Sequence, residues 1–316
     1  MSNQNDALKI YTVILNWNNF SDTAKCIESL LATNDKRITL VVVDNCSTDN
    51  SLNQLKEKYP DLIFLKTDSN LGYAGGMNLG IKYAIEQKAD YILISNNDLI
   101  YTPDFLSPML KLISSSDTIG IVSPKVLYTH NKNKIYCAGG YFSLLRASGV
   151  AAFRNKNSNL FGNEVRKITM AEGSCFLAKR IVFEKCGLIS ENFFMYFEDL
   201  EFSDRIRKHF DIYYTPNSIV YHKGGAGLNW SEHSKLYYYY YTRNRYLYFN
   251  TFDTQIKIYV FFYSILVSML KFISLVKSFF LNSEIRGTKR SSISALIKGN
   301  AEGIRLLWKR SKNNLT

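Results

Sequence analysis

The decapeptide Ala89-Asp-Tyr-Ile-Leu-Ile-Ser-Asn-Asn-Asp98 constrains this chain more than any other stretch. Tyr91 to Ser95 is an apolar run without Gly or Pro, as suits a strand buried on both faces of a parallel sheet. It breaks off into three oxygen-bearing side chains, Asn96, Asn97 and Asp98, where such a strand must emerge. Comparable runs stand at Lys9–Trp17, Thr39–Val43, Ile63–Lys66 and Ile119–Ser123. Between them lie helical segments. Ser21-Asp22 is expected to cap a helix whose Ala24, Ile27, Leu30 and Leu31 fall at helical spacing, a capping cluster spans Ser47 to Ser51, and another helix is expected near Pro103. Strands alternating with helices predict an α/β fold with a mostly parallel sheet wound by right-handed crossovers.

Open α/β sheets bind ligands outside the carboxyl ends of their strands. Three such ends, Asn16-Trp17-Asn18, Asp44-Asn45 and Asn96-Asn97-Asp98, therefore share one rim. Asp44 can accept a hydrogen bond from a pyrimidine N3–H or a ribose hydroxyl, or simply cap a loop. Asp98 between amides suits a hard divalent ion that prefers oxygen ligands, and equally suits a polar turn. Asn70-Leu-Gly-Tyr-Ala-Gly-Gly-Met-Asn-Leu-Gly80 follows the third strand, whereas a dinucleotide fingerprint follows the first. Its glycines, Gly75 among them, suit either close approach to a diphosphate or close helix–sheet packing.

Tyr128 to Lys167 has little pattern and reads as loops or a hairpin. Ile168 to Ala178 reads as a strand interrupted at Glu172-Gly173-Ser174, where backbone can approach a ligand. The aromatic run Phe193–Phe197 delivers Glu198 and Asp199 into the first turn of a helix. Acidic residues are favoured there by the helix dipole, and a carboxylate after such a wall can also serve as a general base. Two short strands, Ile212–Thr215 and Ile219–Tyr221, lead to His222 beside Gly224 and Gly225, where an imidazole can join Asp98 on a metal. From about His233 the chain is helical and aromatic, with Tyr237–Tyr241 followed by Thr242-Arg243-Asn244-Arg245.

A hydrophobic content of 46% against 21% charged is that of a globular protein. The five cysteines are scattered without a C-x-x-C pair, which predicts reduced, mostly buried thiols in a cytosolic setting. MSNQNDALKI has neither a basic n-region nor an apolar h-region, so nothing in it signals export. The net charge is +12, and Asn282 to Thr316 carries eight Lys/Arg against two Glu. Such a tail suits nucleic acid or an anionic membrane, and the segment before it decides for the membrane. Ile256 to Leu281 is strongly apolar, with Lys257, Ser264, Ser268, Lys271, Ser274 and Ser278 on one helical face. Its longest uncharged run, Ile258 to Leu270, is short of the ~18–20 residues a spanning helix wants. A helix lying in the membrane interface is the favoured reading; a spanning helix and a subunit contact stay open.

Together VILNWNN, VVVDNCSTDNS, NLGYAGGMNLG, ISNND, EGSCFLAKR, FFMYFEDLEFSDR and YHKGG, in that order, resemble glycosyltransferase family 2, the inverting sugar-nucleotide enzymes of GT-A fold. The likeness is to bacterial rhamnosyltransferase-type members that build surface polysaccharides, and it covers residues 9–250. It implies a Rossmann-like GT-A domain over residues 1–250 and a helical appendage over 251–316. It also implies that Asp44 holds the nucleoside, that Asn96-Asn97-Asp98 is the variant of an Asp-x-Asp metal motif, that His222 completes the metal site and that Asp199 is the base. Candidate donor contacts are Asn16, Trp17, Asp44, Asn70, Gly75, Asn96 and Asn97. Glu172, Gly173, Glu198 and Arg243 are candidates for acceptor contact or support. The motif keeps only its last Asp, and Glu201 stands where members often have Asp, which leaves a direct role for Glu201 open. The implied cofactor is Mg2+ or Mn2+. The implied partners are a nucleoside-diphosphate sugar, a lipid-linked or glycan acceptor and the cytoplasmic membrane surface, with a homo-oligomer open and no nucleic acid. A catalytically silent sugar-nucleotide-binding scaffold is the alternative. A nucleotidyltransferase would want a basic Gly loop early in the chain, and VILNWNNFSD has none.

Overall fold

The structure is a computed structural model that describes residues 8–224, 235–281 and 286–309. It divides into two units: Met1–Phe142, Gly149–Phe194 and Glu198–Gly227 form the first, and Ser143–Ser148, Met195–Phe197 and Leu228–Thr316 the second. Sequence alone set the division after residue 250.

In the first unit β1 (Ile10–Asn16), β2 (Ile38–Asp44), β3 (Ile63–Lys66) and β4 (Tyr91–Asn96) lie in the order β3-β2-β1-β4, all parallel. Successive side chains of a strand point to opposite faces. Val13, Val41, Val43, Ile92 and Ile94 accordingly join one core, and Ile10, Ile14, Leu40, Val42 and Leu93 the other. Helix α1 (Phe20–Leu31) adds Ile27 to the second core, and α3 (Gly72–Glu86) adds Met77 and Ile81 to the first. Helix α1 is capped by Asn19, whose Oδ1 accepts from the Asp22 N–H at 3.1 Å, rather than by the Ser21-Asp22 pair. The shorter α2 (Ser51–Lys58) and α4 (Leu106–Ile113) complete the crossovers, α4 burying Met109 and Ile113.

Beyond β4 the pattern changes. β11 (Cys175–Lys179) runs antiparallel between β4 and β6 (Ile119–Tyr128), and β12 (Asp211–His222) lies parallel to β6. The interrupted strand expected over 168–178 is in fact two elements: β10 (Arg166–Ile168) pairs with β12, while β11 enters the sheet interior. The two short strands expected near 212–221 are one strand with a register shift between Thr215 and Ile219, around Pro216, which has no N–H to donate. The low-pattern region holds β7 (Ile135–Cys137) and a hairpin of β8 (Gly140–Ser143) and β9 (Ser148–Ala151). One further strand, β5 (Leu99–Tyr101), starts directly after Asp98 and pairs antiparallel with the end of β12. Helices α5 (Arg180–Cys186) and α6 (Glu198–Ile206) follow β11 in the chain.

The second unit is helical: a π-helical turn Tyr237–Tyr241, then helices Thr242–Tyr248, Thr254–Leu281 and Arg286–Trp308. Tyr246, Phe249, Leu296 and Leu307 form its buried interior. Gly303 admits the Tyr246 ring, since a Cβ there would meet Cδ2 at 2.3 Å. The long helix has an inverted polarity. Ser264 and Ser268 are buried, and Ser268 donates to Asn300 Oδ1 at 3.1 Å, while Phe262, Leu266, Met269, Leu270 and Ile273 are exposed. The middle of the polar stripe thus faces protein, where Ser268 meets Asn300 and Lys271 meets the Tyr237 hydroxyl, while Ser274 is exposed. Its 28 residues, with a mean hydropathy of 1.9 in the most apolar window, suffice by length and composition to cross a membrane.

Lys271 of that helix is half-buried over Tyr237, Tyr241 and Tyr238, at 4.7, 5.1 and 5.7 Å from their ring centroids. Arg245 is 4% exposed and lies 5.3 and 5.4 Å from the rings of Tyr241 and Tyr263. Burial, with Arg245 nearby, pushes the Lys271 amine down to about 8. A desolvated cation–π contact is worth about 2 kcal/mol, and an unpaired buried ion costs several.

Candidate active site

The ends of β1 and β2 are joined by one amide. Asn16 Nδ2 donates to Asp44 Oδ1 at 2.9 Å and to Ser51 Oγ at 3.1 Å, while its Oδ1 accepts from Thr23 Oγ1 at 2.7 Å. Asp44 is fully buried and also accepts from the Ser47 Oγ and N–H at 2.6 and 3.0 Å. Its carboxylate thereby shapes the loop that starts at Asn45. Asn18 Oδ1 accepts from the N–H of Thr48 at 2.7 Å, and Trp17 is half-buried beside it. Asn45 was not among the candidates, yet it is the hub of this corner. Its Nδ2 donates to Asn70 Oδ1 at 3.0 Å and to the Gly72 carbonyl at 2.9 Å, and its Oδ1 accepts from the Leu71 N–H at 3.0 Å.

Asn70 and Gly75 therefore belong to a loop and helix start tied to β2. A Cβ at Gly80 would meet Val13 Cγ1 at 2.3 Å, and one at Gly75 would meet Leu71 Cβ at 2.6 Å. Gly72, at φ +71°, lies so close to the Phe194 carbonyl that an added Cβ would be 2.2 Å from its oxygen. The Tyr73 N–H donates to that same carbonyl at 2.7 Å. Asn78 ties the helix to the next segment, donating to the Ile189 carbonyl at 2.8 Å and accepting from its N–H at 3.1 Å.

At the end of β4 the Asn96 N–H donates to the Ser174 carbonyl at 2.8 Å, and Asn97 Nδ2 donates to Thr23 Oγ1 at 2.9 Å. The chain then folds back through β5, whose Leu99 is in register with His222. That pairing sets Asp98 beside His222, with Oδ1 2.9 Å from Nε2. Burial is the largest influence on Asp98 and acts to raise its pKa, but the hydrogen bond and charge of His222 together with backbone N–H groups outweigh it and hold the carboxyl below its usual range. Burial likewise acts to lower His222, and Asp98 outweighs it, raising the imidazole. His222 Nδ1 is buried and has no partner among the described residues. Lys223 pairs with Asp22 at 2.9 Å, which latches the end of β12 to α1. Arg154, which no sequence signal marked, stacks 4.4 Å from the Tyr136 ring, and that ring is 4.4 Å from His222.

Asp199 sits in the first turn of α6, Oδ1 accepting from the Leu200 N–H at 2.8 Å and Oδ2 from the Gly173 N–H at 3.2 Å. The Gly173 carbonyl accepts from the Tyr73 hydroxyl, and Glu172 accepts from Ser174. Burial and then the charge of Glu172 push Asp199 up to about 6. Burial and then Asp199 hold Glu198 well above the ordinary carboxyl range, with Oε2 buried and unpartnered among the described residues. Glu172 also raises His222, so its charge is felt at both Asp199 and the Asp98–His222 pair. Glu201 is spent on Arg205, at 2.6 Å. Arg243 lies in the second unit, where it pairs with Glu302 at 2.8 Å.

Among the described residues no group of three or more His, Cys, Asp or Glu is placed to hold a metal ion. Asp98 and His222 fit a site that the protein supplies only in part. One carboxylate oxygen, one buried imidazole and the free valences of a hard cation leave places for phosphate oxygens and water. Their mutual hydrogen bond shows the two donors within reach of one ion.

A central sheet with polar strand ends at one rim, flanking helices and an acid on a following helix define the GT-A class of glycosyltransferase folds. Residues 11–187 match the family described as Glycosyl transferase family 2, and the chain belongs to that family. It is 31% identical over 172 residues to the low-salt glycan biosynthesis hexosyltransferase Agl10 of Haloferax volcanii, a match spanning 53% of each chain. The chain thus spans about half the length of that relative. It is 25% identical over 218 residues to the N-acetylglucosaminyl-diphospho-decaprenol L-rhamnosyltransferase of Mycobacterium tuberculosis, covering 62% of this chain and 70% of that one. Among solved structures it resembles the mannosyltransferase PcManGT from Pyrobaculum calidifontis, in complex with GDP-Man and Mn2+. The TM-score is 0.57 at 12% identity, over 96% of this chain and 88% of that one. That likeness is one of fold.

Proposed function

We propose that the protein is an inverting glycosyltransferase. It moves a sugar, with rhamnose one candidate, from a nucleoside diphosphate to a hydroxyl of a lipid-linked acceptor in cell-surface glycan synthesis. It works peripherally at the cytoplasmic face of the membrane. The observation that carries the reading is Asp199. Two backbone N–H groups fix both its oxygens, and burial beside Glu172 poises it at about 6, so that it is ionised yet basic near neutrality. The acceptor hydroxyl passes its proton to Asp199 as its oxygen bonds to the anomeric carbon. The bond from that carbon to the β-phosphate oxygen breaks in line, and the electron pair leaves on the diphosphate. Asp98 and His222 would hold Mg2+ or Mn2+, which when bound offsets charge on the leaving diphosphate. Arg154 adds a fixed cation beside them. The relative named for a diphospho-decaprenol acceptor and the fold neighbour holding GDP-Man and Mn2+ support this choice of acceptor, donor and ion.

The test is release of nucleoside diphosphate from a panel of donor sugars by the full chain, with Mg2+ or Mn2+ and with EDTA. Turnover should need the metal, and Asp98→Ala should weaken metal-dependent donor binding more than His222→Ala, since it removes charge. Donor binding without turnover on any donor or acceptor would overturn the enzyme reading in favour of a sugar-nucleotide-binding scaffold.

A further inference from the structure

Among the described residues two cations of the second unit lack a counter-ion. Arg245 is 4% exposed, its Nε is buried without a hydrogen-bond partner, and among the described residues it makes no ion pair. Lys271 has the Tyr237 hydroxyl at 3.3 Å as its one hydrogen-bond partner among the described residues. Arg243, two residues from Arg245, is by contrast paired with Glu302. Both unpaired cations lie against the Tyr241 ring, at 5.3 Å for Arg245 and 5.1 Å for Lys271. Tyr237 stacks on Tyr241 with ring centroids 5.1 Å apart. Ring faces offset less than the desolvation of two like charges, so an anion is the missing component of this cluster. A guanidinium fork, an ammonium and phenolic hydroxyls are the donor set that phosphate oxygens take.

The same helix says where that phosphate comes from. Lys271 lies on its inward face, and Phe262, Leu266, Met269, Leu270 and Ile273 on its exposed one. A soluble anion has no use for that apolar face, whereas a phosphate carried on a lipid uses both. Tyr196, edge-on to Tyr237 and Tyr241 at 5.6 and 5.9 Å, stands three residues before Asp199 in the chain. We propose that Arg245 and Lys271 bind the phosphate or diphosphate of the lipid-linked acceptor, with the exposed helix face against its hydrocarbon chain. The assignment rests on the transferase reading above.

The probe is a neutral phosphatidylcholine vesicle doped with a polyprenyl diphosphate or, in parallel, with phosphatidylglycerol, floated with the full-length protein. Polyprenyl diphosphate should strengthen binding more than phosphatidylglycerol at equal charge. Lys271→Gln and Arg245→Gln should each weaken the polyprenyl-diphosphate-dependent part about tenfold, as loss of a charge-assisted hydrogen bond does. Binding to undoped vesicles and slow donor hydrolysis should stay at parental levels. The KM for the lipid acceptor should rise with kcat little changed. Lys271 is only half-buried, so Lys271→Gln carries the test if Arg245→Gln does not fold. Parental affinity of Lys271→Gln for polyprenyl-diphosphate vesicles would overturn the site, and equal preference for phosphatidylglycerol would overturn its assignment to the acceptor. A parent that binds these vesicles but turns over no donor would sink the transferase reading alone.

Discussion

In the proposed reaction Asp199 is the base because of what surrounds it. Three carboxylates, Glu172, Glu198 and Asp199, lie in one partly buried cluster and cannot all ionise cheaply. Replacement by Asn keeps the shape and removes the base, so Asp199→Asn should lower transfer by around 10²–10⁴-fold while donor binding persists. Turnover close to the parent's would end the assignment. For the parent, the rate should fall on the acid side with a midpoint near 6. The same shift bears on stability. A carboxyl raised in the fold binds more protons folded than unfolded, so its contribution falls as pH rises from the ordinary carboxyl value through about 6. Asp199→Asn should therefore melt higher than the parent at pH 8 and no higher at pH 4, read by calorimetry at both.

The entry to α6 holds strain at element scale. Tyr196 and Phe197 have φ of +66° and +73°, a region bulky side chains seldom occupy. Asn244 holds that turn from within the second unit, its Nδ2 donating to the carbonyls of Met195 and Tyr196, both at 2.9 Å. The amide is fully buried, and its loss removes both hydrogen bonds from a desolvated turn. Asn244→Ala should cost roughly 2–3 kcal/mol, seen as a Tm lower by several degrees. It should also slow transfer with little change in donor affinity, because the turn runs directly into Glu198 and Asp199 in the chain. A variant with parental Tm and parental turnover would show that the turn holds itself.

The whole molecule presents an apolar helix face and a basic C-terminal segment. Ser268, Asn300 and Tyr246 interlock three helices of the second unit, so deleting residues 256–316 would expose its interior along with removing the apolar face. Point changes on the outer face are the cleaner test. Leu266 and Leu270 are 56% and 60% exposed, so Leu266→Lys with Leu270→Lys should leave Tm unchanged and abolish flotation on neutral phosphatidylcholine vesicles. High salt should detach the parent only in part, since it screens the basic contribution and not the apolar one. A parent that stays at the bottom of the gradient in every lipid mixture would make the face a subunit contact. Resistance to carbonate extraction would make the helix a span.

The α/β class, the four strands β1 to β4 of a mostly parallel sheet and the polar strand ends at Asn16, Asp44 and Asp98 were legible in the sequence because each rests on local pattern; the order β3-β2-β1-β4 was not. Runs of β-branched residues, their spacing and the polar residues that end them need no partner to be read. The positions of Asp199 and His222 were legible too, the one an acid in the first turn of a helix and the other an imidazole at a strand end, while their roles rest on motif resemblance. What pairing supplies was not legible. β11 enters antiparallel between β4 and β6, and β5 folds back to set His222 on Asp98, through hydrogen bonds between segments far apart in the chain. Local pattern marks Asn45 only as a polar residue at a strand end and gives no role to Arg154 or Asn244, because each acts on backbone or rings that only chain folding brings near. The helix 254–281 shows the limit best. Its two faces are plain in the sequence, but which of them meets protein depends on Asn300 and Tyr237, and those lie on other helices.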